Sequence, residues 1–156
     1  MKATHEPSIP AAWTRLNVPG SADPALTPSL LLRCAALYLT AYGRTTGEFF
    51  DLLADQPFPP ACAGGAINIA AHGRPILCSD DGTDDAVTDA AITAMRVFAA
   101  SLDVDYAAGD TSVSAIDIIG GFNDDPHTTT TDVVQALNQA ADDWDRLHTH
   151  TSGGAR

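Results

Sequence analysis

The sequence predicts a mostly α-helical fold: a compact single-domain bundle of about five helices, with room for one short strand pair. Three observations carry that prediction. Apolar residues recur at the 3.6-residue period in several long stretches. Those stretches begin and end on residues that cap helices, such as Thr27-Pro28 and Gly43. The apolar fraction is 45%, but aromatic residues make up only 6% and alanine is abundant. Helices that meet through small side chains pack closely, so an alanine-rich interior suits a bundle better than a sheet. The length of 156 residues fits one domain, large enough to bury roughly two-thirds of the unfolded chain's surface.

Taken in order, residues 1–26 hold four of the ten prolines and little periodicity, and read as an extended N-terminal arm. Trp13, Leu16 and Val18 are its candidate anchors. The helical domain, 27–148, opens with Thr27 as N-cap, Pro28 in the first turn and Gly43 as terminator. Leu31, Cys34, Ala35, Tyr38 and Tyr42 share a face, with Leu30 and Leu37 beside it, which predicts a helix buried on most sides. A second, short helix is expected over 45–55, capped by Thr45 or Thr46, with Phe49, Phe50, Leu52 and Leu53 as its apolar residues. The prolines of 57–60 break it. A third helix of small residues follows to His72-Gly73, and 74–82 reads as a connector or short strand. Thr83 then caps a long helix whose inner face is Val87, Ala91, Ala94, Phe98 and Leu102. The segment 106–121 fits neither period cleanly: its 111–119 part is open between strand and a short helix ended by Gly120-Gly121. In the last helix Asp132 and Gln135 have capping-box spacing, and Val133, Leu137, Ala140, Trp144 and Leu147 line one face. Residues 149–156 are expected to form a disordered tail.

Charge narrows the functional classes. The formal net charge is −12, eighteen of the twenty acidic residues are Asp, and Lys2 is the single lysine. Such a surface repels phosphates, so nucleic acid is not an expected partner, whereas a basic protein or peptide is. No run approaches the roughly 20 apolar residues of a membrane span. The N-terminus lacks the apolar core of a secretory leader. Cysteines 34, 62 and 78 form an odd set without zinc spacing, consistent with reduced thiols in the cytoplasm. The bias toward Ala, Asp, Thr and Arg is the kind a GC-rich genome writes.

One stretch has chemical potential. In "FPPACAGGAINIAAHG" (58–73) Cys62 opens a helix, where free N–H groups and the helix dipole can stabilise a thiolate. His72 cannot serve as its base, because ten residues of helix separate them by roughly 15 Å. His127, in the loop that also holds Asn123 and Asp124, is the better candidate. Catalytic residues therefore reduce to Cys62, His127, Asn123 and Asp124. Gly64 and Gly65 would admit a ligand or another backbone, and Phe122 would anchor the loop, making these three the candidate ligand-binding residues. Neither Cys62, His72 and Cys78 nor the acids of 80–85 match a metal-site spacing, and no cofactor or metal is expected. A phosphate-binding glycine loop, a nucleophile elbow and a zincin helix are all missing from the sequence.

The pairing of Cys62–Ala71 with Phe122–Trp144 resembles an actinobacterial and actinophage domain-of-unknown-function family, family 6197. Cys62, Ala63, Gly65, Ala66, Ile67, Asn123 and Asp124 carry the resemblance, which extends over about 28–147. The chain differs in having Phe122 where that pattern has tryptophan, and His-Thr-Thr at 127–129 in place of a Gly-Arg-Thr-like turn. The resemblance implies a shared fold and a bacterial origin, and supplies no activity.

The sequence thus favours a non-catalytic cytoplasmic accessory or regulatory protein that binds a protein partner. A small enzyme built on Cys62 and a small-molecule binder with a pocket between 64–65 and 120–127 are the alternatives.

Overall fold

A computed structural model describes residues 26–75 and 85–154. The arm, apart from Leu26, lies outside the described residues, as do Cys78, Thr83 and the acids of 80–84. Six helices are present among the described residues: α1 (Pro28–Tyr42), α2 (Ala63–His72), α3 (Asp85–Leu102), α4 (Val104–Ala108), α5 (Ala115–Asp124) and α6 (Thr130–Gly154). Residues 149–154, expected in the tail, continue α6.

The expected capping chemistry starts and stops α1. Thr27 Oγ1 accepts from Leu30 N, and Gly43, at φ 96°, turns the chain away while its N–H returns to Leu39 O. A residue with a Cβ would be strained at that angle. Leu31, Leu32, Cys34, Ala35, Ala36, Tyr38 and Leu39 are all buried. Leu37, by contrast, is 48% exposed, so one side of α1 is open. α1 packs most extensively on α6, then on α2 and α3.

The helix expected over 45–55 does not form; a single 3₁₀ turn, Leu52–Ala54, stands in its place. Gly47 has φ 78°, outside helical space. The backbone pairs sideways instead: Thr45 N donates to Ala61 O, Ala61 N to Gly43 O, Asp51 N to Pro60 O and Cys62 N to Phe49 O, at 2.9–3.2 Å. Two isolated bridges, Arg44 with Ala61 and Phe50 with Ala61, are the β-pairing among the described residues, and most of the short strand considered over 74–82 lies outside them. Only Phe50 of the expected apolar face reaches the core fully, while Leu52 and Leu53 are 76% and 96% exposed.

Nine of the ten residues of α2 are buried, so this short helix is central. The Tyr38 hydroxyl donates to Pro59 O and holds the proline turn that feeds α2. Ala91, Ala94 and Phe98 of α3 and Val133, Leu137 and Ala140 of α6 are buried as their periodicity predicts. Leu147, expected on the same face of α6, is by contrast 67% exposed.

Two boundaries are corrected. α5 does not end at Gly120-Gly121 but runs through both to Asp124. Its N-cap, Ser114, accepts from Asp117 N, and Phe122 packs edge-on against Phe98 of α3 at 6.4 Å, so both ends of the helix are fixed around the glycines. The capping box of α6 is set by Thr129 rather than Asp132–Gln135. Thr129 N donates to Asp132 Oδ2 at 2.9 Å, and Asp132 N donates to Thr129 Oγ1 at 3.1 Å. These backbone and hydroxyl contacts hold the Asp132 carboxyl below its ordinary value.

Candidate functional site

The start of α2 is assembled from three segments distant in sequence. Cys62 is the N-cap, and its Sγ accepts from Gly65 N at 3.3 Å. The next free helix donor, Ala63 N, is taken by Asn123 Oδ1 at 3.0 Å. Asn123 Nδ2 donates to Thr45 O at 3.0 Å and to Asp124 Oδ1 at 2.8 Å. Asn123 is fully buried, so this amide ties α5, the 43–50 loop and α2 together by hydrogen bonds sheltered from water. Arg44 closes the arrangement from the loop side. Its guanidinium donates to Asn123 O, to Thr128 O at 2.9 Å and to Thr130 Oγ1 at 3.2 Å, spanning the end of α5 and the start of α6.

Gly65 explains how close these segments come. A Cβ there would lie 2.3 Å from Phe49 O and 3.0 Å from a Phe50 ring carbon, so only glycine fits. The close approach expected at 64–65 is therefore made, and it is the chain's own backbone at Phe49 that makes it.

Beside this junction lies a cleft of about 390 Å³, lined by the 47–49 loop, the start of α2 and α5. Phe49, Ile116 and Ile119 supply apolar wall, and Glu48, Asp117 and Asp124 supply carboxylates. Gly47, Gly64, Gly120 and Gly121 leave backbone bare, and Cys62 completes the lining. Among the described residues no cation is paired with any of the three carboxylates. Nor, among those residues, does any His, Lys or Arg line the cleft.

The structure thus brings together Cys62, Gly64 and Asp124 of the residues singled out from sequence, with Asn123 and Gly65 immediately behind them. It does not bring His127 to them. The His127 side chain is 95% exposed, faces Asp125 at 3.4 Å and takes no part in the cleft lining. Phe122 packs on Phe98 instead of forming the wall. The thiolate-stabilising effect expected at Cys62 is outweighed. Burial pushes the thiol up, backbone N–H groups of Gly65 and Gly64 pull it down by less, and the nearby Asp124 charge adds to the rise. Cys34, deep in the core, is pushed up to about 11 by burial.

Gly47, Glu48, Phe49, Ile116, Asp117 and Ile119 are cleft residues that the sequence reading did not place in a site, whereas Gly120 and Gly121 belong to the segment it set against 64–65. A signal for the α5 residues was present. Ser114 and Asp117 stand at capping-box spacing, which starts a helix at 115 and makes the two glycines internal to it. No group of three or more His, Cys, Asp or Glu among the described residues is arranged to hold a metal ion. None of their helices is long and apolar enough to cross a membrane.

The fold and this cleft define a small helical domain with an acid-rimmed, glycine-walled recess. The chain belongs to the family of unknown function DUF6197, whose family model matches residues 23–143. No curated protein and no solved structure matches it.

Proposed function

We propose that the protein is a non-catalytic, cytoplasmic accessory or regulatory protein of bacterial, actinobacterial type that acts by binding a protein partner, and that the cleft is where it binds. The observation that supports this reading is the cleft's composition: among the described residues Glu48, Asp117 and Asp124 stand without a paired cation, beside the exposed Ile116 and the half-buried Phe49. Charges left open to solvent beside exposed apolar surface are suited to a complementary surface. Affinity capture from the native host, run with the wild type and with Asp117→Lys in parallel, tests it. A partner retained by the wild type and lost by the variant is the expected result. An identical set of captured proteins, or none, would overturn it.

A small molecule is the second reading, favoured by the cleft volume of about 390 Å³, which falls within the roughly 300–1,000 Å³ of small-molecule sites. A cysteine-dependent reaction at Cys62 beside Asp124 ranks below both, since the raised thiol and the solvent-facing His127 leave the nucleophile without activation.

A further inference from the structure

We infer that the cleft receives a basic side chain, arginine or lysine, carried on an extended segment of the partner whose backbone lies across Gly120-Gly121. This rests on the protein-binding reading above and specifies its chemistry. Two consecutive glycines in the interior of α5 are unfavourable for the helix. Packing among the described residues does not account for them. A Cβ at Gly120 or Gly121 would meet nothing within 4 Å, whereas one at Gly65 would collide with Phe49 O. The missing side chains therefore leave a flat strip of helix backbone along an open recess. An incoming main chain can approach such a strip more closely than it could approach two methyl groups.

The recess beside the strip suits an amphipathic cation. The exposed Ile116 and the half-buried Phe49 offer apolar surface to an aliphatic stem, over the buried Ile119. Glu48, Asp117 and Asp124 offer charge to its head, and Phe49 adds an aromatic face. Among the described residues the nearby cation is Arg44, and its guanidinium is directed to Asn123 O, Thr128 O and Thr130 Oγ1 instead. The net charge of −12 steers a basic segment toward the protein, and the cleft gives that segment one place to seat.

The test is amide NMR on the full ¹⁵N-labelled chain, titrated with acetyl-Gly-Arg-Gly-amide or its lysine counterpart. Matched peptides carrying norleucine or glutamate in the centre are the controls. The basic peptides should give saturable shifts concentrated at Gly47, Gly64, Gly120 and Gly121, with norleucine about fivefold weaker and glutamate silent. Asp117→Asn should weaken the basic peptides by about three- to fivefold. The double change Gly120→Ala/Gly121→Ala should raise Tm by a few degrees and weaken the peptide by about tenfold. Because that variant folds better, its loss of binding cannot be assigned to unfolding. Unsaturable shifts scattered over the acidic surface, equal binding of norleucine, or full affinity in the double-alanine variant would each overturn the inference. If the peptides fail while an Asp117-sensitive partner is still captured, the inference falls and the protein-binding reading stands. If the peptides bind at the cleft and no partner is captured, it is the protein-binding reading that falls.

Discussion

Gly64-Gly65 and Gly120-Gly121 flank the same cleft and do opposite things. The first pair lies in the first turn of α2, both residues buried, with the backbone of Phe49 laid directly on Gly65. The second pair lies mid-helix in α5, half-buried and exposed, with open space where side chains would be. A glycine pair in a sequence therefore signals a close approach without saying whose backbone approaches. In α2 the fold itself supplies the answer, and in α5 none of the described residues fills the space.

The sharpest way to break this contrast is alanine at Gly65. The added methyl meets a carbonyl oxygen that also accepts from Cys62 N, so the loop or the helix must shift. The expected loss is about 3 kcal/mol or more, measured by urea denaturation. The same replacement at Gly120 should instead stabilise by about 1 kcal/mol. Equal effects at the two sites would erase the distinction between them.

Asn123→Ala comes next. It leaves the buried Ala63 N and Thr45 O without their partner, at an expected cost of about 2–3 kcal/mol in the same denaturation experiment. A cost below about 0.5 kcal/mol would mean that water replaces the amide and that the junction is looser than its hydrogen bonds indicate.

The smallest expected effect concerns Cys62. Because its folded value is raised, the thiol stays protonated near neutrality. Its contribution to stability is fully present below the unfolded value of about 8.5 and declines as pH rises through the folded value. In a Cys78→Ser background, alkylation of Cys62 should accelerate only above about pH 8.5, with Cys34 slower still. Cys62→Ser should change stability by no more than about 0.5 kcal/mol, since a hydroxyl caps a helix at least as well. Rapid alkylation at neutral pH would return the cysteine-dependent reaction to first place.

Much of the fold was legible because it follows from local rules. Thr27-Pro28 and Gly43 mark α1, and the apolar periods at 87–102 and 133–140 mark the inner faces of α3 and α6. The 45–55 segment was not, because its apolar spacing matches a helix while Gly47 and the pairing of its backbone with 60–62 make another structure better satisfied. The end of α5 was misplaced for a related reason. Glycine lowers helix propensity without forbidding helix, and the Ser114 cap together with the Phe122–Phe98 contact outweighs two of them. Part of the candidate site was readable, since Cys62, Gly64 and Asp124 do meet. The rest depended on which way a loop and a helix face, and the cleft's carboxylates carry no sequence mark that separates them from the other acids of a strongly acidic chain.

Arg44 gives the cleft one further property. Its side chain reaches from the 43–50 loop to the last carbonyl region of α5 and the first residue of α6, while Asn123 joins the same loop to α2. Both walls of the recess are thus pinned to one frame, and neither can swing without breaking bonds at the other. The basic segment proposed above would meet a shape already set. Little of the free energy of contact would then be diverted to ordering this surface, and a short segment with a few contacts would suffice.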